Sequence, residues 1–208
     1  AGAAVATPGA DATTGTAQAA IRPPVAVRPT AQEMNIEFAA LSGPSATYPG
    51  KPGSDFMVDV LRTLNIDYIA TNPASSCRGI HESIINYNPG QKPELLTVMH
   101  EETGAGMAHG YAKVTGKPMA LLFHGTVGIM HASMAVYNAW CDRVPMIIFA
   151  GNHTDAADRL PGVPTTHAAQ DPLQMIRDFT KWDDQPASLQ HYAESVVRAY
   201  KIAMTAPQ

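Results

Sequence analysis

From Pro52 onward, short apolar runs alternate with segments whose apolar residues recur every three or four positions. Ser54 or Asp55 is placed to cap a helix with apolar positions at Phe56, Val60 and Leu64. Residues 66–70 predict a short strand, ended by the turn Asn72-Pro73-Ala74-Ser75-Ser76, and a second helix follows with Ile80, Ile84 and Ile85. The run at 95–99 predicts a buried parallel strand that leads into a helix from Glu101 to about Thr115, where Gly116-Lys117-Pro118 intervenes. A strand at 119–123, a loop at 124–128, a helix through Trp140 and a strand at 144–150 come next. Residues 151–170 are polar and rich in Pro and Gly, the pattern of a long loop. A helix over 172–178, a short segment at 180–182 and a helix over 188–204 complete the pattern. Strand–helix alternation with near-continuous apolar strands predicts an α/β fold, a parallel sheet with helices on both faces. In such sheets ligands bind at the carboxyl ends of the strands. The loops at 72–76, 100–102 and 124–128 all lie at such ends, so they are expected to converge.

Composition separates off the beginning of the chain. Residues 1–37 contain no Phe, Tyr or Trp and are dominated by Ala, Thr, Gly and Pro. Such a segment buries too little apolar surface to offset its ordering entropy, so residues 1–45 are expected to form an extended arm ahead of a domain at 46–208. An Ala-rich start without Met fits the mature end left by removal of an export signal, which would make the protein exported or periplasmic. An arbitrary start fits as well and leaves a cytoplasmic protein open.

Charge and cysteine content narrow the chemistry. A net charge of −4 without a basic run argues against nucleic acid as the main partner. No apolar stretch reaches membrane-spanning length. The two cysteines, Cys77 and Cys141, form no CxxC, and the eight histidines show neither HxxxH nor HExxH spacing, so no metal ligands are assigned from sequence.

The three loops offer a hydroxyl (Ser75), a carboxylate (Glu101) and an imidazole (His124). A Ser–His–Glu hydrolase would carry Gly-x-Ser-x-Gly, and Pro73-Ala74-Ser75-Ser76-Cys77 lacks both glycines. His124-Gly125-Thr126-Val127-Gly128 matches neither the Walker pattern nor the dinucleotide fingerprint. Glu101 at a helix mouth is either a solvated acid complementing the helix dipole or a buried carboxylate held for a partner.

From Pro52 to its end the chain resembles the N-terminal, pyrimidine-binding domain of thiamine-diphosphate enzymes, and most nearly the benzoylformate decarboxylase pattern. The resemblance rests on Asn72-Pro73-Ala74-Ser75, on Glu101 followed nine residues later by Gly110-Tyr111-Ala112, and on His124-Gly125 with Gly128. It continues through Asn138-Ala139-Trp140, Pro145, Ala150-Gly151, Lys181-Trp182 and the closing residues from Met204. The resemblance implies thiamine diphosphate as cofactor and non-oxidative decarboxylation of a 2-keto acid, with carboligation to an aldehyde as a possible outcome. Glu101 would bond a ring nitrogen of the aminopyrimidine, with Glu102 the nearest competitor. Pro73, Ala74, Gly125 and Thr126 would line the cofactor. His124 would relay protons and Ser75 would contact the substrate carboxylate. Ala74 stands where the family has Gly, which implies a less close backbone approach to the cofactor. Acetolactate-synthase-like or aldehyde-lyase chemistry, and a non-catalytic subunit, are the alternatives. His100, His109 and His131 are expected to be surface or packing residues, and Met107, Met130 and Met134 to fill the core.

Family members carry Gly-Asp-Gly in a second domain, where it holds magnesium and the diphosphate; these 208 residues contain none. The expectation is therefore a second chain bearing that domain, produced by cleavage of a precursor or encoded separately, with a truncated fragment of a longer chain as the competing explanation. The assembly would be a homo- or hetero-oligomer, most simply a dimer of dimers.

Overall fold

A computed structural model describes residues 51–152, 169 and 171–207. The expected arm, its boundary with the domain and most of the 151–170 loop lie outside the described residues.

Strands β1 (Tyr68–Thr71), β2 (Glu94–Thr97), β3 (Met119–Phe123) and β4 (Met146–Ala150) form one parallel sheet in the order β2-β1-β3-β4. Helices α1 (Gly53–Arg62), α2 (Arg78–Asn86), α3 (Glu101–Thr115), α4 (Thr126–Cys141) and α5 (Leu189–Met204) cover it. The alternation of side chains along β3 divides the core. Ala120 and Leu122 join Val58, Leu61, Ile80, Ile84, Tyr192 and Val196 from α1, α2 and α5 on one face. Met119, Leu121 and Phe123 meet Ala105, Ala108, Ala132 and Ala135 from α3 and α4 on the other. These alanines let the two helices approach closely, and Gly104 does the same against Val98, which a Cβ there would meet at 3.3 Å.

Several local expectations change in three dimensions. The 95–99 run does form a parallel strand, but β2 lies at the sheet edge, so Leu95 and Leu96 are only half-buried and Met99 is fully exposed. The apolar face of α1 is Val58, Val60 and Leu61, while Phe56 points outward. Neither Ser54 nor Asp55 caps that helix; the Ser83 hydroxyl lies 2.8 Å from Ser54 Oγ and 2.8 Å from Asp55 Oδ1, and this cluster ties α1 to α2. Met107, Met130 and Met134 are exposed because the alanine stripes take the inward sides of α3 and α4. Residues 172–178 form two 3₁₀ turns, Pro172–Met175 and Arg177–Phe179, instead of one helix. Arg177 pins this stretch by bonding Asp171 and Asp183 on either side.

At the amino ends of the strands, Asp67 accepts hydrogen bonds from Lys92, from Tyr111 at 2.8 Å and from Lys117 at 3.0 Å. Lys92 foremost, then Tyr111 and Lys117, hold its carboxyl far below the usual carboxylate range. A carboxylate with a depressed folded pKa contributes stability above its unfolded pKa of about 3.9 and loses it as pH falls further. Asp67→Asn is therefore expected to lower the urea midpoint at pH 7, and the gap from the parent is expected to narrow below about pH 4. An equal gap at pH 7 and in acid would refute this role.

Candidate active site

All four strands run the same way, so their following loops share one edge. Between β1 and β3 the chain leaves in opposite directions, toward β2 and toward β4, and this opens the crevice expected at a topological switch point.

Glu101 is the first residue of α3 and only 3% exposed. Asn72, just past β1, donates from Nδ2 to Glu101 Oε2 at 3.4 Å. Gly128, in the first turn of α4, receives the other side of the carboxylate: a Cβ there would lie 2.9 Å from Oε1 and 3.2 Å from Cγ. A side chain at 128 would push the carboxylate aside, so glycine there keeps it in its present place. Glu102, the competing acid, is exposed. Its amide donates to Nδ1 of His100 at 3.3 Å, which makes His100 the side-chain cap of α3. The helix closes at Gly116 in the left-handed conformation, φ 70°.

The spacing from Glu101 to Tyr111 has a mechanical reading. Ten helical residues span about 15 Å, close to the length of a four- or five-residue strand at about 3.3 Å per residue. Tyr111 thus reaches the amino edge of the sheet, where its hydroxyl bonds Asp67 and its ring meets Tyr68 edge-on, centroids 5.6 Å apart. Anchoring that end fixes Glu101 at the opposite edge.

The second link across the crevice joins Ser76 to His124. Ser76 Oγ lies 3.0 Å from His124 Nδ1 and accepts the Gly125 amide at 3.0 Å. The Gly125 N–H and the His124 ring thus meet at one hydroxyl oxygen, which ties the loop after β3 to the turn after β1. Ser75, the serine singled out from sequence, is exposed at the start of the 3₁₀ turn Ser75–Cys77. The contact made by Ser76 was not legible, because adjacent side chains in such a turn point about 120° apart.

Pro73 is exposed and Ala74 is half-buried and extended (φ −145°, ψ 146°), a conformation any residue adopts, so alanine in place of glycine strains nothing here. Gly125 is buried, and Thr126 opens α4 with its Oγ1 buried and lacking a hydrogen-bond partner among the described residues. Cys77 is buried beneath the same turn; burial foremost, with the Glu101 charge adding, pushes its thiol upward and away from nucleophilic use near neutrality. Gly151, just past β4, packs so tightly that a Cβ would fall 2.1 Å from the Ser76 carbonyl oxygen.

His131, on α4, stacks on His100 with ring centroids 4.4 Å apart and an interplanar angle of 22°. His109 bonds Asp142 at 2.9 Å on the surface. Lys181, part of the sequence resemblance, donates to the carbonyls of Ile202 and Thr205 and caps the end of α5. Among the described residues no helix is long and apolar enough to cross a membrane.

The family profile described as thiamine pyrophosphate enzyme, N-terminal TPP binding domain, matches residues 51–180. The mitochondrial acetolactate synthase catalytic subunit of Aspergillus candidus is 25% identical over 188 residues, covering 85% of this chain and 25% of its own length. Benzoylformate decarboxylase of Pseudomonas aeruginosa is 29% identical over 110 residues, covering 53% of this chain and 20% of its own length. The solved benzoylformate decarboxylase of Polynucleobacter necessarius matches with a TM-score of 0.64 at 21% identity, over 76% of this chain and 28% of that one. That last likeness concerns the fold. The chain spans about a quarter or less of the length of these curated relatives.

Proposed function

This chain belongs to the thiamine pyrophosphate enzymes through their N-terminal TPP binding domain, and on that premise we propose that it supplies the pyrimidine-binding half of an active site that decarboxylates a 2-keto acid without oxidation. The observation that carries the proposal is Glu101, a buried carboxylate at the mouth of α3 that accepts a long 3.4 Å hydrogen bond from Asn72 among the described residues. An ionised carboxylate is costly to bury with so little support, unless a further donor completes it. The residues fit the aminopyrimidine: Glu101 offers an acceptor to a ring nitrogen, Gly128 leaves room for the carboxylate, and the Thr126 hydroxyl, without a partner among the described residues, lies at the start of α4. Pro73, Ala74 and Gly125 line the approach from the loops after β1 and β3.

The cofactor, when bound, supplies a nucleophilic carbon and an electron sink for the bond that loses carbon dioxide. Glu101 holds the proton-exchanging ring nitrogen, a role suited to a carboxylate shielded from water. His124 moves a proton at Nε2 while Ser76 holds its Nδ1. Ser75 is exposed at the crevice rim and is assigned to the substrate carboxylate. Magnesium and the diphosphate fall to a further domain, carried by a second chain or a separate segment, in an oligomer. The relatives favour one second reading, acetolactate-synthase-like carbon–carbon bond formation, since such a synthase aligns over 85% of this chain.

In the assembled enzyme given a panel of 2-keto acids, His124→Ala is expected to slow release of carbon dioxide by ~10²-fold or more. Decarboxylation at the parent rate would overturn the decarboxylase assignment, and acetolactate appearing from pyruvate in that variant would favour the synthase. An assembly that retains no thiamine diphosphate would point to a non-catalytic subunit.

A further inference from the structure

We propose that His100, Glu101 and His131 form a binding site for one transition-metal dication, with Zn²⁺ the best match. Each residue offers a ligand atom, and these atoms lie within 4.8 Å of one another. Two come from the start of α3 and the third from α4, so the site exists only because the two helices pack side by side. The imidazoles are stacked face to face at 4.4 Å and 22°, which brings the two rings together, and a rotation of the exposed His131 ring turns both nitrogen lone pairs toward one point. Binding requires these side chains to rotate until the nitrogens stand about 2.0–2.1 Å from the ion. His131 is exposed, which leaves a path for an ion from solvent, while Glu101 is held in the interior by Gly128 and Asn72.

The donor set selects the ion. Two imidazole nitrogens and one carboxylate oxygen suit Zn²⁺ in a tetrahedral site with one open position. Mg²⁺ and Ca²⁺ prefer all-oxygen shells and bind imidazole poorly. The positive end of α3 opposes any cation, so only an ion with strong affinity for nitrogen overcomes it. His100 Nδ1 accepts the Glu102 amide, and ligation through Nε2 shifts the imidazole proton to Nδ1 and gives up that 3.3 Å bond. This cost sets the affinity below that of a preformed site.

The metal site does not depend on the cofactor assignment. If both hold, the ion and the aminopyrimidine compete for Glu101, and Zn²⁺ inhibits by occupying the carboxylate.

The test uses the 208-residue chain without cofactor. Co²⁺ is titrated while the visible ligand-field bands of a tetrahedral ion are followed, and Zn²⁺ binding is measured by calorimetry. The expected result is one equivalent bound, weakened at least ~10-fold in His131→Ala and in His131→Asn, and unchanged in His109→Ala. Circular dichroism confirms that the variants are folded. Absence of saturable binding by the parent chain, or equal affinity in the His131 variants, would overturn the proposal.

Discussion

Glutamine at position 101 is expected to lower kcat/KM of the assembled enzyme by ~10²–10⁴-fold without lowering the melting temperature of the chain. The two side chains have the same shape, so the close fit against Gly128 survives the change. What is lost is the ionised acceptor. An amide meets the ring nitrogen weakly and cannot exchange a proton with it. Stability is expected to hold or rise, because the carboxylate is 3% exposed and its Asn72 partner sits at a long 3.4 Å. Burying a charge with so little support is unfavourable, and neutralising it relieves that cost. The pairing of outcomes separates function from architecture. Parent-like turnover would refute the catalytic role, and a large fall in melting temperature would assign Glu101 to the fold instead.

The second large effect is expected at Gly151. A methyl group there would sit 2.1 Å from the Ser76 carbonyl oxygen and 2.5 Å from its carbon, both backbone atoms that cannot swing aside as a side-chain tip would. The chain after β4 and the 3₁₀ turn after β1 must then separate. Overpacking of this kind costs about 1–3 kcal/mol, occasionally more. Ser76 also carries His124 through Nδ1 and the Gly125 amide, so the displacement passes into the crevice. A shift of about 1 Å in a catalytic group lowers rate by roughly 10²-fold. Gly151→Ala is accordingly expected to lower both the urea midpoint and turnover. Gly106→Ala is the matched control: it lies inside α3 with nothing within 4 Å of a Cβ, and is expected to gain about 0.5–1 kcal/mol. Equal stability of the Gly151 variant and the parent would show that the close approach is not required.

Gly151 also illustrates what a motif conceals. The sequence marks it as part of a resemblance without a reason, and the reason is a backbone contact with a residue 75 positions away. Gly128 is similar, since its need for glycine is visible only once the Glu101 carboxylate is seen against it. Tyr111 appears as spacing in the sequence and becomes an anchor once Asp67 is found beneath it. Gly110 beside it remains unexplained, for nothing lies within 4 Å of a Cβ there.

The sequence by itself determined the order of strands and helices, the closure of α3 at Gly116 and the gathering of three loops at one edge. These are local matters: apolar periodicity, turn chemistry and the one-way run of parallel strands decide them without reference to distant residues. Only the tertiary structure decided which side of each element faces what. The sheet order put β2 at the edge, and the alanine stripes of α3 and α4 turned Met107, Met130 and Met134 outward. It also chose Ser76 over Ser75 as the partner of His124, and brought His131 to His100 from 31 residues away. Each of these depends on the rotation and relative placement of whole elements, which long-range packing sets.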